Sequence, residues 1–165
     1  MKVSVFVSIP TTRSASQEAF YHSLKVMCAE VDLEFRTLGI TDYPIETPFK
    51  EVLCLARHCS GGIVLGFSKI QISSYIDSVT GKELKNTKHF PTPWNQIEAG
   101  MLYGLGLPLL VLCEPGIDGG IFDKGAAELY IHEIPTTMPM SLEKENSLGK
   151  IIRQFAQKVH AIYRK

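Results

Sequence analysis

Residues 61–67, Gly-Gly-Ile-Val-Leu-Gly-Phe, carry no charge and show no apolar–polar alternation. A strand that presents one face to water alternates, whereas a strand that is apolar throughout has to be covered on both sides, as in the middle of a parallel sheet flanked by helices. Residues 3–9 make the same demand. There Val3, Val5, Val7 and Ile9 alternate with Ser4, Phe6 and Ser8, and Phe6 with two small serines leaves the second face apolar enough to bury. The rest of the chain must supply covering helices and flanking strands.

The remaining segments read that way in order. Phe20, Leu24, Met27 and Val31 recur at helical spacing, with Ser14 and Gln17 placed to form a capping box. Residues 33–38 form a short second strand. The loop that follows ends in a Thr47 cap and Pro48 at the first position of a helix whose buried face is Phe49, Val52, Leu53 and Ala56. Residues 68–91 make a long polar loop, the length of a lid or binding loop, with Tyr75, Asp77 and His89 able to reach a ligand. After a helix from Pro93, residues 108–113 form the fourth strand and residues 129–134 a fifth. Residues 136–140 lead into a last helix whose core face is Leu148, Ile152, Phe155, Val159 and Ile162. Lys150, Arg153, Lys158, Arg164 and Lys165 lie mostly opposite, as a solvated face. Strands alternating with helices predict an α/β, doubly wound, flavodoxin-like five-stranded parallel sheet of order 2-1-3-4-5, with helices on both faces. The 165 residues suit a single domain, 1–165. In that order ligands bind beyond the carboxyl ends of the first and third strands. The rule gathers Pro10 to Ser14, Phe67 onward and the start of the third helix, at Trp94, around one crevice.

Residues 90–103 are the stretch with the most chemistry. Thr92 and Pro93 start a helix, with the Thr92 hydroxyl placed to cap free amides and proline where no hydrogen bond is lost. Trp94, Asn95 and Glu98 share one face of the first two turns, while Ile97, Met101 and Leu105 form an apolar stripe for the sheet. Tryptophan beside a carboxylate removes water from it, which raises its pKa and readies it for ribose hydroxyls or a developing cation. The plainer reading is a glutamate that complements the helix dipole next to a packing tryptophan. Arg13 follows a strand end and precedes a helix N-terminus, which makes it a candidate phosphate partner, against a reading as a solvated charge.

Composition excludes several classes. Seventeen basic and seventeen acidic residues give a formal net charge of zero, unlike a chain that coats nucleic acid or an anionic membrane. No apolar run reaches the ~18 residues of a membrane span, and no secretory leader pattern opens the sequence, so the expected location is the cytoplasm. The four cysteines, Cys28, Cys54, Cys59 and Cys113, make no C-x-x-C pair and read as buried thiols. The histidines show no metal-ligand spacing, so no metal is expected. Neither a Gly-x-Gly-x-x-Gly nor a P-loop pattern occurs, which argues against dehydrogenase and NTPase readings.

The run Val5-Phe6-Val7-Ser8 and its polar loop with Arg13 resemble the first strand and loop of Toll/interleukin-1 receptor (TIR) domains. Trp94 and Glu98, separated by three residues at a helix start, are similar to the Trp-x-x-x-Glu of TIR domains that cleave NAD. Nucleoside 2-deoxyribosyltransferase-like proteins also place a glutamate in a helix just before an apolar strand, much as residues 98–111 do here. The resemblance covers residues 2–113 as an order of elements. Two departures stand out: the long insertion at 68–91, and the lack of an aspartate in 90–97, where the transferase pattern carries one.

The resemblance implies that Glu98 is catalytic, with Ser8, Arg13 and Trp94 beside the substrate. Pro10, Phe67 and Asn95 are added as substrate-binding candidates by the crevice rule and the helix face. It implies cleavage of an N-glycosidic bond in NAD or a related nucleotide, NAD being substrate rather than cofactor, with a small-molecule nucleotide or nucleoside as partner and homo-oligomerisation left open. Two alternatives remain. One is a nucleoside 2-deoxyribosyltransferase-like enzyme, whose poorer leaving group asks for a second acid, with Asp77 and Asp42 as candidates. The other is a non-catalytic nucleotide-sensing or assembly module, for which Ile70, Ile72 and Ile76 offer a partner surface.

Overall fold

The structure, a computed structural model, describes residues 2–43, 45, 47–123, 125, 131–134 and 147–163. Five parallel strands form the central sheet: β1 (Val3–Ser8), β2 (Leu33–Arg36), β3 (Gly62–Gly66), β8 (Leu109–Cys113) and β9 (Ile131–Glu133), in the order β2-β1-β3-β8-β9. Counting only these strands, that is the 2-1-3-4-5 order of the sequence reading. β1 and β3 lie side by side in the interior, Phe6 opposite Gly62 and Ser8 opposite Val64, and every residue of β3 is buried. Both apolar runs are therefore where two-sided burial requires them.

Helices α1 (Ala15–Ala29) and α4 (Ser147–Tyr163) cover one face of the sheet, and α2 (Pro48–Arg57) and α3 (Pro93–Gly104) cover the other. Alternation within β1 feeds both cores: Val3, Val5 and Val7 join the α1/α4 side and Phe6 the α2/α3 side. The Ser14–Gln17 capping box starts α1 as expected. α3 lies close on β3 because Gly62 has no side chain; a Cβ there would come within 2.7 Å of Leu102 and 2.8 Å of Leu109.

Several expectations are corrected. The fully buried positions of α3 are Asn95, Ala99 and Leu102, with Met101 and Leu105 packed at the edge, so the sheet-facing stripe is rotated from the expected Ile97, Met101 and Leu105. A 3.6-residue period fixes spacing, and only the sheet decides which of two adjacent stripes turns inward. On α2, Val52, Leu55 and Ala56 are buried, Leu53 is half-buried and Phe49 is 53% exposed. Neither Thr47 nor Thr92 makes a side-chain cap. Cys54 is exposed, whereas Cys28, Cys59 and Cys113 are buried; all are free thiols. Ile162 lies at the open end of the α4 face, 36% exposed, beyond buried Leu148, Ile152, Phe155 and Val159. The expected segment 136–140, the first residues of the expected fifth strand, and Arg164 and Lys165 fall outside the described residues.

Residues 68–91 are built as a β-arm. β4 (Ile70–Ile72) pairs antiparallel with β7 (Lys88–Phe90), and beyond them β5 (Tyr75–Ile76) pairs with β6 (Glu83–Leu84). Asp77 accepts from the amides of Val79 and Thr80 and so makes the turn at the tip, and Lys88 lies over the Tyr75 ring. Ile70 and Ile76 are exposed on the arm and Ile72 is half-buried. No helix among the described residues is long and apolar enough to cross a membrane.

Candidate active site

Where β1 ends, the chain passes over the carboxyl edge of the sheet through Ile9, Pro10 and Thr11. The starts of α2 and α3 face that loop, both opened by proline. Together with Leu38, Gly39 and Val52 they enclose a cavity of about 330 Å³, lined also by Pro48, Thr92, Trp94 and Glu98. Among the lining residues Glu98 is the one titratable side chain. Trp94 and Glu98 are four residues apart on α3 and so lie one above the other on the face toward the cavity.

Asn95, one residue on from Trp94, points inward instead. It is 1% exposed, and its Nδ2 donates to the Ser8 hydroxyl at 2.8 Å, while its Oδ1 accepts from the Thr92 hydroxyl at 3.1 Å. The Thr92 hydroxyl, turned toward Asn95, makes no hydrogen bond to the free amides of α3. Ser8, fully buried, accepts from Asn95 and directs its own hydrogen bond to the Glu98 carboxylate. Burial pushes the Glu98 carboxyl up to about 7, and the Ser8 hydrogen bond works in the opposite direction, favouring the charged form. Glu98 is thus poised between its two protonation states near neutral pH.

Trp94, which lines the cavity, is backed by a second aromatic ring outside it. Phe49 of α2 and Trp94 of α3 meet with ring centroids 5.4 Å apart and planes tilted by 53°, yet remain 53% and 39% exposed. Two large rings held against each other but open to water at the mouth of a cavity present a surface on which a flat heterocycle can stack.

Of the residues singled out from sequence, Ser8, Pro10, Trp94, Asn95 and Glu98 are brought together here. Arg13 and Phe67 are not. The Arg13 guanidinium ion-pairs with Glu18, donates from Nη1 to the Pro10 carbonyl at 2.6 Å and lies 5.3 Å from the Tyr21 ring centroid. It braces the loop that carries Pro10, with Nε and Nη1 engaged. Phe67, 1% exposed, lies on the α1/α4 face of the sheet, edge-on to Phe20. A lone arginine near a strand end has many partners within reach, and an odd–even shift past β3 decides which face Phe67 takes. Asp42 pairs with Arg36 and Asp77 turns the arm, so neither lines this cavity. Sequence reading missed Phe49; its position directly after the helix-opening Pro48, where a side chain projects past the end of the core, was the available signal.

No protein-family model matches the chain, and no curated protein matches it. Among solved structures, the CMP N-glycosidase BcmB of Clostridium botulinum is similar over 79% of this chain and 88% of that chain, at 12% sequence identity and a TM-score of 0.48. A likeness of this extent carries nothing about activity.

Proposed function

We propose that this protein cleaves the N-glycosidic bond of a nucleotide or nucleoside, with NAD as the substrate its site suits best and Glu98 as the catalytic group. The observation that carries the reading is a single half-buried carboxylate, raised to about 7, inside a cavity with an aromatic mouth. Cleaving the bond between ribose C1′ and the nicotinamide nitrogen sends the bonding electron pair to the ring and neutralises its positive charge. The leaving group needs no proton. What needs help is the sugar, which becomes oxocarbenium-like before water adds and gives up a proton. An ionised Glu98 supports that positive charge, Ser8 keeps the carboxylate oriented, and the Phe49–Trp94 pair stacks the departing base. Transfer between bases asks for a second acid at the leaving group. No other carboxylate lines the cavity among the described residues, which favours cleavage over transfer.

The test is to incubate purified protein with NAD and follow nicotinamide release by chromatography, with deoxyinosine plus a free base in a parallel reaction. Release from NAD that is lost in Glu98→Gln supports the reading. Base exchange without NAD cleavage supports the transferase reading instead, and binding without turnover supports a nucleotide-sensing module.

A further inference from the structure

The β-arm formed by residues 68–91 does not roof the Glu98 cavity. Ser68, Gln71 and His89 instead line a separate cavity of about 490 Å³ on the opposite, α1/α4, side of the sheet, within the size range of small-molecule sites. Gln71 and His89 are direct partners across the β4–β7 ladder, so one pair of the arm forms one wall. Phe20 and Phe67 lie edge to face beneath, and Ala19, Pro115 and Ile134 complete an apolar surround.

Glu114, the residue after β8, is the one carboxylate lining this space. Its oxygens accept from Gln17 Nε2 at 3.1 and 3.0 Å, and Oε2 accepts from the Ser68 amide at 2.6 Å. All these donors are neutral. The ion pairs among the described residues are Arg13–Glu18, His22–Glu18 and Arg36–Asp42, and none includes Glu114. A half-buried carboxylate held in place by neutral donors, with no countercharge, is a fixed negative pole facing a cavity.

The arm is locked where it forms the wall. Ser68 Oγ and His89 Nδ1 share a hydrogen bond at 3.0 Å, the Lys69 amide donates to the Phe90 carbonyl, and His89 bridges to Ile117. Gly116, at φ +84°, lets the chain pass beneath the imidazole; a Cβ there would lie 3.0 Å from His89 Cδ2. The wall is therefore preorganised, which lowers the ordering cost of taking up a ligand.

We propose that the Glu114 cavity is a second ligand site, distinct from the Glu98 site, for a small organic cation. Its N–H donors meet the carboxylate and its flat apolar body lies over the Phe20–Phe67 floor. The lining holds the Glu114 carboxylate and no lysine or arginine, so an anion is disfavoured, and a single carboxylate is too sparse a set to hold a metal ion. The insertion that departs from the family pattern thereby has a task of its own: it walls a site on the far side of the sheet from the proposed chemistry.

Benzamidine, a planar amidinium on an aromatic body, is the probe, with benzamide and benzoate as neutral and anionic isosteres. Titration calorimetry on the full chain is expected to show benzamidine binding at least tenfold tighter than benzamide, with benzoate not binding. Glu114→Gln keeps an acceptor for the Ser68 amide and removes the charge; it is expected to weaken benzamidine roughly tenfold or more. Gln71→Trp, at an exposed arm position that tolerates bulk, fills the mouth and is expected to abolish binding with the fold intact by circular dichroism. No benzamidine binding, equal binding of benzamide or benzoate, unchanged affinity in Glu114→Gln, or binding that survives Gln71→Trp would each overturn the proposal. None of these outcomes depends on whether Glu98 cleaves NAD.

Discussion

The Asn95 side-chain amide donates to the Ser8 hydroxyl at 2.8 Å, joining the last residue of β1 to the first turn of α3 across 87 positions of chain. Both side chains are buried, and both belong to the face of the sheet that carries the Glu98 cavity. The bond fixes the rotation of α3 against β1. That rotation places Trp94 and Glu98, on the adjacent face, in the cavity rather than in the core or in water. Removing the amide while keeping the helix should therefore cost stability and catalysis together. Asn95→Ala is expected to destabilise the fold by about 1–3 kcal/mol, the penalty of a buried hydroxyl left without its donor. Urea unfolding measures it; an unchanged midpoint would show that the pair does not hold α3.

Glu98→Gln keeps size and hydrogen bonding and loses the charge. Turnover of NAD is expected to fall on the order of 10²-fold or more, with a smaller change in binding, as for other groups that act on charge developed in the transition state. Steady-state kinetics decides, and wild-type turnover in the variant would remove Glu98 from the mechanism.

The protonation state of Glu98 gives the reaction a sign. Its carboxyl is raised to about 7, and the oxocarbenium-like sugar needs the ionised form, so kcat for NAD is expected to rise with pH through about 7 and level off above. A general acid would give the reverse, a rate that falls above the same pH. A pH profile from 5 to 9, buffered to span about two units either side, separates the two.

The same shift also sets a trend in stability. In the unfolded chain the group loses its proton near the ordinary value of 4.5, while in the folded protein it holds the proton to about 7. Between those values the native state binds the extra proton, so stability declines as pH rises through that window. Glu98→Gln removes the titration and is expected to flatten the decline, becoming the more stable protein above pH 7 by on the order of 1–3 kcal/mol, since the site is partly open to water. Thermal melts of both proteins at pH 5 and pH 8 test the sign.

Trp94 is the one tryptophan of the chain, so intrinsic fluorescence reports directly on the cavity mouth. Nicotinamide or adenine is expected to quench it and ribose is not. Phe49→Ala should weaken base binding by about 5- to 100-fold, the range for loss of one stacking surface. Quenching that ignores Phe49→Ala would leave the exposed ring pair without a ligand role.

What the sequence determined by itself was set by composition along short runs. The uncharged runs of β1 and β3, apolar on both faces but for two small serines in β1, have no stable home except the interior of a covered parallel sheet, and that requirement, with the alternation of helices, settles the strand order and the carboxyl-edge crevice. Trp94 and Glu98, four apart after a proline, share a helix face in any context. The tertiary structure decided everything that depends on partners distant in sequence. It turned Asn95 rather than Ile97 toward the sheet, because Ser8 offers a buried hydroxyl there. It tied Arg13 to Glu18 and Pro10, placed Phe67 on the opposite face, and left Phe49 open against Trp94. It also folded the 68–91 insertion into an arm beside Glu114. Periodicity specifies the angle between side chains on one element, whereas their direction relative to the rest of the molecule is chosen by packing and by which buried polar groups find each other, and those pairings exist only once the chain has closed on itself.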